Sequence, residues 1–133
     1  MGCGECTIMC FKGAIQARLS GVLENSQRKA VEYVMGALKG KENKCAFFNF
    51  LINVTPDCDC WNYNDARVVE DIGILASRDI VAIEQASLDL LNQKAGKDVF
   101  HEIYPVVSCQ SQVDYAEKMG LGSREYDLVS LDD

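Results

Sequence analysis

Three cysteines near the start of the chain have the spacing of iron–sulfur ligands. Cys3, Cys6 and Cys10 stand in the sequence Cys-Gly-Glu-Cys-Thr-Ile-Met-Cys, and Gly13 follows in a turn-like Gly-Ala-Ile segment. Bacterial [4Fe–4S] motifs have the pattern C-x2-C-x2-C-x3-C, in which three thiolates bind one cluster and the fourth binds the other cluster of a two-cluster ferredoxin. The spacing therefore predicts Cys3 and Cys6 on one [4Fe–4S] cluster and Cys10 on another.

The motif is expected to be truncated at its start. If Cys3 is the second ligand, the first cysteine would lie directly before Met1. Phe11 stands where such motifs usually have proline, which is one departure from the pattern. Zinc bound by the same thiolates is the main alternative, and three surface thiols at chance spacing are the other.

A second group of candidate ligands lies in the middle of the chain. Cys58 and Cys60 alternate with Asp57 and Asp59, and Asp65 closes the same loop. Residues two apart in an extended backbone point to the same side, so both thiolates could face one metal ion. The carboxylates would add oxygen ligands. The loop would be the centre of a metal-dependent enzyme, which is an alternative to the iron–sulfur function, or it is an acidic surface loop with two incidental thiols.

Other common catalytic patterns are missing from the sequence. His101 is the only histidine and has no serine or cysteine partner in a motif context, so a hydrolase triad is not supported. The sequence has neither a G-x-G-x-x-G nor a P-loop motif for a nucleotide. Glu84 and Asp89 would lie about 140° apart around a helix, too far round to share one small site.

Composition and charge limit the partners. The 133 residues are 48% apolar, which suits one domain with a substantial core. A net charge of −7 disfavours nucleic acid and anionic lipid, and no stretch approaches the roughly 20 apolar residues of a membrane span. The seven cysteines are odd in number and partly clustered, which favours a reducing compartment and a cytoplasmic protein.

The hydrophobic pattern predicts an α/β fold, with α+β as the alternative. Residues 1–23 are predicted to be the remnant of a ferredoxin-like segment, and residues 24–133 a single α/β domain. We expect a mixed sheet of about three to five strands packed by two main helices. The predicted helices are 27–39, 80–94 and 113–119, and the predicted strands are 45–54, 68–75 and 126–131.

Two details of these elements bear on the site. Strand 45–54 is predicted to be central, because its even positions form an apolar face that includes Phe48 and Phe50. Its other face carries Asn49 and Asn53, whose amides need partners from a loop or a ligand if they are buried. Asp79 is expected to cap the helix that follows the second strand.

Seven short segments, in this order and spacing, carry a family resemblance over nearly the whole chain. They are Cys3-Gly4-Glu5-Cys6 with Cys10 and Gly13-Ala14-Ile15; Phe50-Leu51-Ile52; Cys58-Asp59-Cys60; Asp65-Ala66-Arg67-Val68-Val69; Asp71-Ile72-Gly73-Ile74-Leu75-Ala76-Ser77; Asp79-Ile80-Val81-Ala82-Ile83; and Gly120-Leu121-Gly122. In these segments the chain resembles the C-terminal part of the iron–sulfur-associated proteins grouped as domain of unknown function family 362.

The resemblance implies a longer protein, with an α/β region upstream and a two-cluster ferredoxin-like insertion before the segment seen here. It implies [4Fe–4S] clusters as cofactors of the intact protein, and either a redox partner protein or the upstream domain as the electron partner. It implies no particular reaction. Three functions therefore remain open: iron–sulfur electron transfer, a metal-dependent enzyme at the Cys58–Asp65 loop, and a structural module without a cluster.

Overall fold

The computed structural model describes residues 9–15, 22–41, 43–57, 65–106 and 108–131, and the side chains from residue 25 onward within the first helix. This part of the chain has a mixed α/β fold, as predicted. Its elements in chain order are α1 Val22–Leu38, β1 Phe47–Leu51, β2 Gly73–Ser77, α2 Ile80–Ala95, α3 Val99–Ile103 and α4 Gln110–Lys118. None of the described helices is long and apolar enough to cross a membrane.

The sheet is smaller than predicted. In the described residues it has two antiparallel strands, with Phe47 opposite Ser77 and Leu51 opposite Gly73. The expected strand 126–131 is instead an exposed tail without regular structure. The alternating pattern of this segment wrongly indicated a strand, because the tail buries no apolar face. Leu131, for example, is 92% exposed.

The face of the sheet that is buried is the opposite one to the face that was predicted. Phe48 and Phe50, on the expected core face, are 60% and 64% exposed, whereas Leu51 on the other face is 6% exposed. The reason is that a single helical layer, α2, packs on the sheet, and it covers the odd-numbered positions. β1 is therefore not a central strand in the described part of the fold.

Helix α2 is the organising element and begins and ends as predicted. The Asp79 carboxylate accepts hydrogen bonds from Val81 N at 2.8 Å and Ala82 N at 3.1 Å, which satisfies donors that the first helical turn leaves unpaired. Gly96 ends the helix in the left-handed conformation, with φ of 68°. Because α2 contacts both strands and α4, its buried residues connect the two halves of the core.

The core consists of two apolar clusters on either side of α2. One joins α1, α2 and α4, and its buried members are Val31, Val81, Val113 and Ala116. The other joins the sheet to the end of α2 and to α3, and its buried members are Leu51, Val69, Leu91 and Val99. The first helix turns an apolar side towards this core, since Val31 is buried and Val34 is half-buried.

Several predicted boundaries are wrong. The first helix begins at residue 22 rather than 27, and the polar residues Asn25 and Ser26 lie within it rather than before it. The second strand begins at Gly73, preceded by a bend in which Val69 is buried without pairing. Residues 97–112, which fall between the predicted elements, contain α3 and the start of α4. Asp98 caps α3 by accepting a hydrogen bond from His101 N at 3.0 Å.

Candidate functional site

Cys10 lies in a tight turn that precedes α1. Gly13 N donates to Cys10 O at 2.8 Å, which closes the turn. Gly13 has a φ of 61°, in the left-handed region that glycine adopts without strain. The thiol is free and half-buried, while Phe11 beside it is 95% exposed. We call residues 10–15 the Cys10 loop.

Backbone groups of this loop act on the thiol of Cys10. The N–H groups of Ile15 and Ala14 make the largest contributions to lowering the pKa of the Cys10 thiol, and those of Lys12 and Gly13 lower it further. Partial burial opposes them, but the net direction is downward. Successive backbone N–H groups directed at one point form an anion-binding concavity. The loop therefore stabilises the thiolate of Cys10 relative to that of an ordinary cysteine.

A loop of this kind fits a metal–sulfur cofactor. The thiolate is the form of cysteine that binds metal, and hydrogen bonds to the sulfur atoms are one of the features that set the potential of an iron–sulfur cluster. Sequence reasoning treated Gly13-Ala14-Ile15 only as the exit from the motif. It did not predict that their backbone N–H groups lower the pKa of the Cys10 thiol. Gly13 was the available signal, because a glycine at this point allows the chain to turn back towards Cys10.

The other predicted cluster ligands, Cys3 and Cys6, lie outside the described residues. Their geometry relative to Cys10 therefore stays a prediction.

The second predicted metal site is also largely outside the described residues. Cys58, Asp59 and Cys60 fall there, and Asp65 is exposed where the described chain resumes. Within the described ranges, no group of three or more His, Cys, Asp or Glu side chains could hold a metal ion. A metal site at this loop stays a prediction.

The carboxylates that flank this loop already have protein partners. Asp57 accepts a hydrogen bond from the Tyr104 hydroxyl. Asp71 accepts from Asn53 N at 2.8 Å and lies 3.6 Å from the Arg67 guanidinium. Both carboxylates therefore stabilise the ends of the connection between β1 and β2.

The amide of Asn49 needs no ligand. Its Nδ2 donates to Glu84 Oε1 at 3.1 Å and to Ser87 Oγ at 2.9 Å, both on α2. Asp89 has separate partners, including the Tyr126 hydroxyl at 2.8 Å. The prediction that Glu84 and Asp89 cannot share one site is therefore confirmed, because Glu84 bonds across to the sheet and Asp89 bonds to the C-terminal tail.

The two remaining described cysteines have different surroundings from Cys10. Cys45 and Cys109 are both free and half-buried. Burial and the nearby carboxylate of Asp98 raise the pKa of the Cys109 thiol. His101 is exposed. Cys109 is therefore held as a neutral thiol rather than activated as a nucleophile.

Comparison with known proteins identifies a family for the chain. No curated protein and no solved structure matches the chain. A family model described as Domain of unknown function (DUF362) matches residues 7–89, a range that contains Cys10, the Cys58–Asp65 loop, the sheet and most of α2. This range is more than half of the 133 residues, and the chain therefore belongs to the DUF362 family.

Proposed function

We propose that the chain is part of an iron–sulfur redox protein, in which Cys3 and Cys6 bind one [4Fe–4S] cluster and Cys10 binds another. The observation that supports this proposal is the Cys10 loop, whose N–H groups at Ile15 and Ala14 lower the pKa of the thiol. Cysteine spacing of the ferredoxin type is the second support.

The proposed role is electron transfer. A [4Fe–4S] cluster, when bound, accepts and donates single electrons. The chain itself would supply thiolate ligands and hydrogen bonds to sulfur, which offset the negative charge of the cluster and so tune its potential. A redox partner protein or an upstream domain would exchange the electrons. The cysteine pattern favours a reducing compartment such as the cytoplasm.

The test is to reconstitute the protein without oxygen, with ferrous iron, sulfide and a small thiol that can complete the coordination. Two forms are compared: the chain itself, and a form with one cysteine added directly before Met1, which completes the C-x2-C-x2-C-x3-C spacing. We expect the extended form to bind iron and acid-labile sulfide in equal amounts and to show broad charge-transfer absorption. Zinc without sulfide, or no metal in either form, would refute the proposal.

Matched variants of the extended form locate the site. Replacing Cys3, Cys6 and Cys10 together by serine should abolish iron and sulfide binding. Replacing Cys45 and Cys109, which lie outside the motif, should leave it unchanged. Replacing Cys58 and Cys60 should also leave it unchanged; iron lost in that variant alone would favour the enzyme centred on the Cys58–Asp65 loop.

A further inference from the structure

An open cleft lies between the C-terminal end of α1 and the N-terminal end of α2, far along the chain from the Cys10 loop. Its volume is about 700 Å³, which is within the usual range for small-molecule sites. We call it the Arg78 cleft. Its apolar lining consists of Met35, Leu38, Phe47, Ile80, Met119 and Leu121.

Three cationic side chains line the same cleft: Lys39, Lys41 and Arg78. Among the residues that the structure describes, none of the three has a carboxylate within ion-pair distance, whereas Arg67, Lys94, Lys97 and Arg124 do. In a chain with a net charge of −7, this cleft therefore concentrates positive charge that the described carboxylates do not neutralise.

Two of the three cations are oriented by the backbone. Arg78 Nη2 donates to Asn43 O at 3.1 Å, and Lys41 Nζ donates to Ala37 O at 2.7 Å near the end of α1. A guanidinium has five N–H donors, so this contact leaves most of them for a ligand. The cationic groups are thereby held beside the apolar lining.

Among the described residues that line the cleft, the one carboxylate, Asp79, is already engaged. Asp79 Oδ1 caps α2 through Val81 N and Ala82 N, and Asp79 Oδ2 accepts from Ser123 N at 2.9 Å. These three backbone donors offset its negative charge, so it opposes an incoming anion less than a carboxylate without partners would.

We propose that the Arg78 cleft binds a small organic anion that has an apolar body. The anionic group, a carboxylate or phosphate, would pair with Arg78 and the two lysines, and the apolar body would lie against the methionine, leucine and phenylalanine side chains. Arginine suits this role because its planar fork can bond two oxygen atoms of one anion. This inference is independent of the proposed cluster.

The experiment is a titration of the isotope-labelled full chain, followed by amide NMR shifts. Three probes separate the two requirements: 4-phenylbutyrate has charge and an apolar body, 4-phenylbutanol has the body alone, and acetate has the charge alone. We expect saturable shifts at Cys45, Arg78 and Gly120 with 4-phenylbutyrate, and affinity at least tenfold weaker for the other two probes.

Two charge variants complete the test. Arg78→Gln should weaken 4-phenylbutyrate binding about tenfold, which corresponds to about 1.4 kcal/mol. Lys94→Gln, which removes a charge outside the cleft, should change it less than twofold. Unchanged circular dichroism would show that both variants fold. Equal binding of the acid and the alcohol, equal affinity in Arg78→Gln, or shifts confined to Phe48 and Phe50 on the sheet would overturn the proposal.

Discussion

Cys10 and Cys109 are both free, half-buried thiols, yet their surroundings act on them in opposite directions. Backbone N–H groups of the Cys10 loop lower the pKa of Cys10, whereas burial and the carboxylate of Asp98 raise the pKa of Cys109. The first environment stabilises the thiolate and the second stabilises the neutral thiol. Of these two cysteines, Cys10 is the one whose surroundings favour the thiolate, which is the form of cysteine that binds metal.

The same comparison extends to the regions that contain these residues. The Cys10 loop contributes no member to either apolar cluster, whereas Cys109 lies at the start of α4, which contributes Val113 and Ala116 to the core. Within the part of the chain that the structure describes, the cysteine with the lowered pKa therefore lies outside the apolar core. Substitutions in the apolar core should therefore change the free energy of unfolding, and substitutions in the Cys10 loop should change the reactivity of the Cys10 thiol.

The largest effect on stability is expected on the inner face of the sheet. Leu51 is 6% exposed and packs in the cluster beneath α2, so Leu51→Ala should lower the free energy of unfolding by about 2–5 kcal/mol. Its neighbour Phe50 is 64% exposed, and Phe50→Ala should cost about 1 kcal/mol or less. Urea denaturation measures both. Equal losses would mean that the outer face of the sheet is covered.

The cap of α2 should give the next largest effect. A Cβ atom at Gly122 would overlap the Asp79 carboxylate, so Gly122→Ala should displace the cap and cost about 1–2 kcal/mol. Gly36 in α1 has no atom within 4 Å of such a Cβ, and Gly36→Ala should instead stabilise the protein by about 0.5–1 kcal/mol. Thermal unfolding of both variants checks the contrast; a stabilising Gly122→Ala would contradict it.

The two thiols should differ in alkylation rate. Thiolate is the reactive form, and the lowered pKa of Cys10 means that its thiolate forms at lower pH than that of Cys109. In cluster-free, reduced protein near neutral pH, iodoacetamide should modify Cys10 roughly tenfold faster than Cys109. The ratio should fall as the pH rises above both pKa values.

Peptide mapping by mass spectrometry at several pH values gives the rate for each cysteine. Unfolding the protein in denaturant is the control, because it should bring the two rates together. A faster reaction at Cys109 in the folded protein would contradict the comparison.

The smallest effect on stability is expected at Cys10 itself. Cys10→Ser should change the free energy of unfolding of the cluster-free protein by less than about 0.5 kcal/mol, because the loop packs against neither apolar cluster. Cys109→Ser exchanges a half-buried thiol for a more polar hydroxyl and should cost about 1 kcal/mol. Chemical denaturation under reducing conditions checks both values. A larger loss at Cys10 than at Cys109 would show that the loop supports the fold.

Local signals in the sequence predicted part of this structure. Asp79 and Gly96 mark the ends of α2 because a cap and a left-handed glycine act within one turn of the helix. The match of residues 7–89 to DUF362 confirms the family that the seven segments suggested, whereas the ligand roles read from the cysteine spacing stay a prediction.

Features that depend on distant packing were not predicted. The alternation in 45–54 identified a strand with two different faces, but which face lies inside depends on where α2 packs, about thirty residues later. The Arg78 cleft is similar, because Lys39, Lys41 and Arg78 form no sequence motif and meet only through the fold. The effect of backbone N–H groups on the Cys10 thiol is not visible in the sequence either, because these groups belong to every residue type except proline. Gly13, which allows the turn, is the exception.

The most direct test of the central claim is the electron paramagnetic resonance spectrum of the anaerobically reconstituted and reduced protein, in the form that carries a cysteine directly before Met1. The account predicts the signal of a reduced [4Fe–4S] cluster, retained when Cys45 and Cys109 are replaced by serine and lost when Cys3, Cys6 and Cys10 are replaced. A signal that persists without the three motif cysteines, or that is missing from the form with all of them, would contradict the account.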